Sequence, residues 1–252
     1  PPCTLMRRAG LALARWAVAR YPHARTFWIA AGPGGNGGDG LHFAAELAAT
    51  GRQVTVSLLA DPARLSADAA EGLVRARGAG TRLQESLDAP AWALGVDALL
   101  GLGASRPAAG AIAEAVRRLN AASAPTLAVD LPTGVDSDTG AVRGHAIRAD
   151  MTVATGLPKR GLLLFPGRAY AGALELAEIG LAPEHLEAIM SERIDAARAR
   201  SLLPARPADS YKGTYGKALV IAGSAQYPGA ASLACAAAAR VGAGLVTLAN
   251  GR

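Results

Sequence analysis

The sequence has 252 residues, of which 51% are hydrophobic and 18% are charged, so it can bury a core and is not a disordered chain. Its formal net charge is +6, but no basic cluster is interleaved with aromatic residues, which argues against nucleic acid as a main partner. The two cysteines, Cys3 and Cys235, have no CxxC or Cys/His spacing, which excludes a disulfide framework and a zinc site.

Apolar spacing predicts a helix over residues 4–20, and a short apolar strand over 26–32 precedes a glycine loop and a helix that ends near Thr50. From there strands and helices alternate, which is typical of a Rossmann-like, doubly wound, mostly parallel α/β sheet with helices on both faces. The later elements are predicted as strands over 53–60, 81–85, 92–101, 126–132, 149–156 and 172–180, and as helices over 66–78 and 109–122.

The last part of the chain reads as the start of a second domain. A helix is predicted over residues 183–203, and a proline-rich, turn-prone stretch places a boundary near 201–208. The two domains are therefore predicted over residues 1–200 and 209–252. The second holds one β–α–β piece, whose roughly 45 residues are near the lower limit for independent folding. With no initial Met, the chain is expected to be part of a longer protein.

The sequence contains no signal peptide and no good membrane span. The amphipathic first helix is interrupted by Arg15 and Arg20, and the most apolar late stretch contains Arg240 and two glycines. Together with the absence of a disulfide framework, these features predict a soluble, cytoplasmic protein without a membrane partner.

Three polar segments follow predicted strands, where ligands bind in a doubly wound sheet. The first is the glycine loop GPGGNGGDG, in which Gly32, Gly34 and Gly37 fit the dinucleotide pattern GxGxxG, with Asp61 placed as a ribose ligand. Against that interpretation, Pro33 removes a backbone donor, and Asp39, expected in the first helical turn, would repel a pyrophosphate. A plain tight turn in which Asp39 caps the helix is the structural alternative.

The other two segments contain Asp97 and Asp130, each at or near a strand end. Asp130 lies in the segment VDLPTG, where Pro132, Thr133 and Gly134 predict a turn. Its position suits a ligand of a hard cation, a proton-transfer residue or simply a turn former. Asp97 interrupts an apolar run, and a buried carboxylate implies a cation or a network of donors. Lys159 follows a strand and could bind an anion, move a proton or lie in solvent. The histidines have no partner spacing and are assigned no function, although His42 could pack or hydrogen-bond locally.

Five segments in order, LMRRAG, GPGGNGGDG, VDALLGLGASRP, VDLPTGVDSDTG and ADMTVATGLPKRGLLLFPG, are similar to the NAD(P)H-hydrate epimerase family, the YjeF N-terminal domain, over residues 4–180. The stretch RPADSYKGTYGKALVIAGSAQYPGAASLACAAAARVGAGLV resembles the opening of an ADP- or ATP-dependent NAD(P)H-hydrate dehydratase domain, here an incomplete ribokinase-like β–α–β fragment. The chain thus resembles a truncated bifunctional repair enzyme.

The resemblance implies that the chain interconverts the R and S forms of NADHX or NADPHX at C6 of the hydrated ring. The complete second domain would dehydrate the S form with ADP or ATP and Mg²⁺, but its GTGD-type aspartate is not in this sequence, so no dehydratase activity is expected. Preference between the two hydrates and between ADP and ATP stays open. So does oligomeric state, and a homo-oligomer is compatible with the sequence.

The resemblance also implies site residues. A potassium ion would be held by Asn36, Asp97 and Thr133, where threonine replaces the usual serine and keeps the hydroxyl. Asp130 is the expected acid/base, with Asp39 or Lys159 as helper. The expected substrate-binding residues are Gly35 (where the family has Asn, so that only backbone contacts carry over), Asn36, Gly37, Gly38, Asp39, Gly101, Leu102, Gly103, Ala104, Ser105, Arg106, Pro107 and Asp130.

Two other functions compete with this one. A redox dehydrogenase would bind NAD(P) tightly at the glycine loop, which the carboxylate of Asp39 opposes. A non-catalytic scaffold is the second, because some relatives of this domain serve in RNA-decay or lipid-related complexes. Those relatives tend to lose the acidic residues, whereas Asp39, Asp97 and Asp130 are all present.

Overall fold

The computed structural model describes residues 4–104, 106–182, 184, 186, 189 and 191–250. The chain divides into two compact units, Pro1–Ala188 and Ile189–Arg252. Sequence analysis placed this division near residues 201–208. In the described part of the chain no helix is long and apolar enough to cross a membrane.

The first unit contains a seven-stranded sheet in which every pairing is parallel. The strand order is β3-β2-β1-β4-β5-β6-β7, so the chain reverses its direction of winding between β1 and β4, the point where doubly wound folds bind ligands. The strands are β1 (Thr26–Ala31), β2 (Gln53–Leu58), β3 (Arg82–Gln84), β4 (Leu94–Ala98), β5 (Thr126–Val129), β6 (Met151–Thr155) and β7 (Ala173–Ala177).

The α-helices that accompany the sheet in the described residues are α1 (Thr4–Arg20), α2 (Gly35–Ala49), α3 (Ala67–Gly78) and α4 (Gly110–Ala121). Ser66 is the N-cap of α3, because its side chain accepts a hydrogen bond from the Ala69 amide. Strand β1 is buried on both faces: Phe27 and Ile29 belong to one apolar cluster and Trp28 to the other. The Rossmann-like, doubly wound parallel fold predicted from the sequence is confirmed.

The predicted helix over residues 183–203 is wrong for the most part. Residues 191–195 are not helical, and the helix α5 covers only Ala196–Leu202; residues 183, 185, 187, 188 and 190 lie outside the described part. Asp195 starts the helix, since its side chain accepts from the Arg198 amide at 2.8 Å. The apolar side chains here, such as Ile194 and Leu203, are exposed. A short helix without an apolar face to bury is marginal, so the local pattern overstated its length.

The second unit holds a parallel β–α–β piece, as predicted, made of β8 (Lys217–Ile221), α6 (Pro228–Val241) and β9 (Leu245–Ala249). Its apolar side chains are largely exposed, with Leu219 at 63% and Ile221 at 80%. Ala231 is the one buried residue among those of this unit that the structure describes. This piece therefore has no enclosed core.

His42 is fully buried and joins α2 to α3. Arg75 Nη1 donates to His42 Nδ1 at 3.0 Å, so the proton of the neutral ring is on Nε2, which donates to the Asp68 carbonyl at 3.1 Å. Arg75 also pairs with Glu46 at 2.7 Å. These contacts confirm the prediction that His42 packs and hydrogen-bonds locally.

Because of His42, we expect the free energy of unfolding to decrease as the pH falls below 6.5, the pKa of an ordinary histidine. Burial lowers the pKa of His42 in the folded state, so the unfolded chain takes up the proton first and stability is lost as the pH falls. Urea titrations from about pH 8 to about pH 5 should show that the advantage in unfolding free energy of wild type over His42→Gln shrinks with acidification. A constant difference would contradict a buried neutral imidazole.

Candidate active site

A cleft of about 560 Å³ lies at the carboxyl ends of β1, β4, β5 and β6, over the point where the winding reverses. This is the expected position of a ligand site in a doubly wound sheet. Its walls come from the glycine loop, from the loop after β4, from the ends of β5 and β6, and from the segment after β7. The lining residues are Pro33, Gly34, Gly35, Asn36, Asp39, Leu99, Leu100, Gly101, Leu102, Gly103, Ala104, Asp130, Thr155, Lys159, Ile179 and Leu181.

Six of the nine residues of the glycine loop belong to α2, which begins at Gly35 with Gly34 as its N-cap. Asp39 is the fifth helical residue, so the expectation that it lies in the first turn is wrong. The alternative in which it caps the helix is wrong too, because the N-cap is Gly34. Gly34 has extended backbone and leaves the cap without a side-chain hydrogen bond. The start of α2 is therefore bare backbone at the edge of the cleft, with the carboxylate one turn further in.

The glycines of this loop serve two purposes. A Cβ on Gly32 would fall far inside van der Waals distance of the Leu99 carbonyl oxygen, and one on Gly37 would clash equally with the Gly32 carbonyl. These two positions need glycine for backbone packing. A Cβ on Gly34 would meet nothing within 4 Å, and one on Gly35 only the end of Met6 at 3.7 Å. The space at Gly34 and Gly35 is open to the cleft, where a ligand can approach the backbone.

Asp130 is held rigidly at the end of β5. It has φ +66°, the one left-handed non-glycine residue in the described part of the chain, and such strain is concentrated at functional sites. Its Oδ1 accepts from the Thr155 amide at 2.9 Å, from the Thr155 hydroxyl at 2.6 Å and from Lys159 Nζ. Lys159 also donates to the Thr155 carbonyl at 2.9 Å. Oδ2 has no protein donor among the residues that the structure describes.

Asp39 shares the cleft with Asp130 and Lys159, so the three predicted acid/base residues are brought together. Burial, and then the negative charge of Asp130, raise the pKa of Asp39 to about 7, while the positive charge of Lys159 acts in the opposite direction. Asp39 therefore exchanges a proton near neutral pH. Sequence reasoning missed Thr155; the signal was its position at the end of β6, beside β5.

Asp97 is completely buried at the end of β4 and forms the network of donors that its sequence context predicted. Its Oδ1 accepts from the Thr133 hydroxyl at 2.7 Å and its Oδ2 from the Thr133 amide at 2.7 Å, while the Leu99 amide lies 3.2 Å from Oδ1. Burial raises the pKa of Asp97 to about 6, against the lowering effect of these hydrogen bonds. A carboxylate this deep favours a nearby positive charge.

Asn36 meets this network at Leu100. Its Nδ2 donates to the Leu100 carbonyl at 3.2 Å, and the Leu100 amide donates to Thr133 Oγ1 at 3.0 Å. Asn36 Oδ1 is buried and has no hydrogen-bond partner in the part of the chain that the structure describes. The described residues contain no group of three or more His, Cys, Asp or Glu side chains that could hold a metal. The side-chain oxygens of Asn36 and Thr133 are neutral and that of Asp97 carries one negative charge. Such oxygen ligands suit a hard cation of low charge.

Several predicted substrate residues lie away from the cleft wall. Gly37 and Gly38 are buried in the packing of α2, and Arg106 and Pro107 are exposed beyond the lining. Ser105 lies outside the described residues. Asp61, the ribose ligand of the dehydrogenase interpretation, is exposed and caps a short 3₁₀ turn through the Ala63 amide. It does not line the cleft.

Residues 2–161 match the family described as YjeF-related protein N-terminus. The NAD(P)H-hydrate epimerase of Limosilactobacillus fermentum is 38% identical over 187 residues, which cover 71% of this chain and 86% of that protein. The bifunctional NAD(P)H-hydrate repair enzymes of Thermofilum pendens and Moorella thermoacetica are 38% and 39% identical over 98% and 99% of this chain. They are matched over 48% and 50% of their own lengths, so the chain spans about half of these relatives.

The fold has a counterpart among solved structures. The crystal structure of yeast ynu0 superposes with a TM-score of 0.55 at 24% identity, covering 62% of this chain and 71% of the yeast chain. The agreement concerns the fold. Because the family match covers more than half of the sequence and the shorter relative is matched over most of its length, the chain belongs to the family of the YjeF-related protein N-terminus.

Proposed function

We propose that this chain is an NAD(P)H-hydrate epimerase, which interconverts the R and S forms of NADHX or NADPHX. One observation carries the proposal: a cleft at the point of winding reversal holds two carboxyl groups, one fixed by Lys159 and Thr155 and the other with a pKa of about 7. The printed name of the shorter relative supports the same activity.

The chemistry needs one proton donor and one acceptor. To invert C6, its bond to the hydroxyl breaks as a proton converts the leaving hydroxyl to water, and a water then adds to the opposite face and loses a proton. Asp39, protonated near neutral pH, is the donor. Asp130 is the acceptor, because it pairs with Lys159 through Oδ1 and its Oδ2 has no protein donor among the described residues. In the reverse direction the two exchange roles.

The potassium ion that the family implies fits Asn36, Asp97 and Thr133, because Asn36 Oδ1 is a buried acceptor without a partner and Asp97 is a buried carboxylate. A bound ion supplies a positive charge that offsets Asp97. Asn36 and Thr133 fix the loop after β4 through Leu100, and Asp97 fixes it through the Leu99 amide. This loop forms one wall of the cleft.

Potassium is expected to stabilise the folded protein by about 1–3 kcal/mol at tenfold to hundredfold excess over its Kd. The check is Tm in potassium chloride against choline chloride at equal ionic strength. Asn36→Leu should abolish the difference, while Asn120→Leu, which removes an amide distant from the cleft, should keep it. The same potassium dependence in both variants would contradict this site.

The function is tested with pure R hydrate, the protein and a separate S-specific dehydratase. Consumption of the R form supports the epimerase. Unchanged R form would favour the non-catalytic scaffold.

The bifunctional relatives also suggest dehydration in the complete protein, with ADP or ATP and Mg²⁺. We expect none from this chain, whose second unit buries only Ala231 among its described residues; formation of NADH from the S hydrate would contradict that.

The rate of epimerisation should fall as the pH rises above about 7, because Asp39 then loses the proton that it donates. The measurement is kcat/KM between about pH 5.5 and 8.5 in the coupled assay, with the dehydratase in excess. Asp39→Asn should lower the rate and remove this alkaline limb. A variant that retains the limb would assign it to another group.

A further inference from the structure

One wall of the cleft comes from a segment that carries none of the predicted motifs. We call residues 178–181, directly after β7, the strap. Its two apolar residues, Ile179 and Leu181, line the cleft and are each half-buried. They face the same space as Asp39, Asp130 and Lys159, so they place an apolar surface beside the acid/base residues, in addition to the leucines of the loop after β4.

Arg8 of α1 holds the strap in place. Its Nη1 donates to the Ile179 carbonyl at 3.1 Å. Gly180 has φ +75°, and a Cβ there would clash with Arg8 Nη1. The guanidinium therefore lies directly against the middle of the strap, and glycine at 180 makes that close approach feasible.

The strap also packs on the catalytic cluster. A Cβ on Gly156, which has φ +73°, would lie 2.8 Å from Leu181 Cδ1 and 3.4 Å from Ile179 Cδ1. Gly156 directly follows Thr155, the residue that fixes Asp130 Oδ1 with two hydrogen bonds. The side chains of Ile179 and Leu181 thus lie against Gly156, the neighbour in sequence of the residue that holds the Asp130 carboxylate.

Resting on the proposed function, we propose that the strap is the apolar wall against which the hydrated nicotinamide ring packs, and that Arg8 is a positioning residue that sets this wall. C6 must come within proton-transfer distance of Asp130, and a ring placed there lies beside Ile179 and Leu181. The apolar face of the ring then loses contact with water, which favours binding. The wall thereby selects the neutral hydrated ring and fixes its distance from the carboxylates.

The test compares Leu181→Ala, Leu181→Met and Arg8→Gln in the coupled epimerase assay with NADHX, with Tm measured for each variant. Leu181→Ala should raise KM about tenfold, because the shortened side chain leaves part of the ring uncovered, with kcat reduced much less. Leu181→Met should restore KM because it refills the volume. Arg8→Gln should raise KM by a smaller factor without loss of Tm. Arg15→Gln, on the same helix and exposed, is the matched control and should keep the wild-type KM.

A folded Leu181→Ala variant with wild-type KM would overturn the wall while the epimerase function stands. Equal KM values for Arg8→Gln and Arg15→Gln would overturn the role of Arg8. Wild-type protein that does not epimerise NADHX would overturn the function and the wall together.

Discussion

Asp130→Asn is expected to lower kcat for epimerisation by about 10²–10⁴-fold, the usual contribution of a general acid/base. The amide oxygen of the asparagine can still accept the hydrogen bonds from Thr155, so the local structure should be retained. The side chain, however, can no longer take up a proton from water. Lys159 would also lose the carboxylate with which it pairs. The measurement is the initial rate of R-to-S conversion in the coupled assay, with Tm as the check on folding.

Asp138→Asn is the matched control, since it removes the same charge from the same loop at an exposed position whose ion pair with Arg160 is at the surface. It should leave kcat unchanged, because surface pairs contribute little. The assignment would be wrong if Asp130→Asn kept the full rate while Asp39→Asn abolished it. In that case Asp39 would carry both proton transfers.

Gly37→Ala is expected to destabilise the first unit by about 1–3 kcal/mol or more, because the added methyl group collides with the Gly32 carbonyl. Neither atom is the end of a flexible side chain, so β1 and α2 would have to move apart. Denaturant titration should give a lower midpoint of unfolding for this variant. The effect arises from packing and is independent of any ligand.

Gly34→Ala is the partner experiment within the same loop. Its Cβ would meet nothing within 4 Å, and its backbone has φ −99°, which alanine adopts without strain. The variant should therefore unfold at the wild-type midpoint but bind substrate less tightly, because the methyl group projects where a ligand approaches the loop. Equal destabilisation by both substitutions would show that the loop glycines are only structural.

The sequence predicted the sheet well because β1 and β5 are buried on both faces. Such strands must be continuously apolar, and the run TFWIAA has no helical periodicity to compete. The helix over 183–203 failed for the opposite reason: its apolar residues have no partner surface, and local pattern does not report that. Asp39 lies just beyond the first helical turn, in which it was expected, because the helix start at Gly35 is set by bare glycine backbone and not by a capping side chain.

The site was predictable where motifs carried it and unpredictable where it depends on strand register. Asp39, Asp130 and Lys159 could be named from the sequence, but the role of Thr155 follows from the pairing of Val129 with Val153. That register brings the residues after both strands together. The partnerless Asn36 Oδ1 and the strap arise likewise from segments far apart in the chain, which single-sequence reasoning does not bring into contact.

The two-stranded sheet of the second unit has a practical consequence for handling the protein. A pair of strands has two open edges, and within the described residues β8 and β9 pair with no other strand. Ile221 and Leu219 project from that sheet into water. Exposed apolar edge strands are templates for pairing between chains. We therefore expect self-association in concentrated preparations to begin at this segment. The intensity of scattered light should fall when the chain is shortened to its first unit.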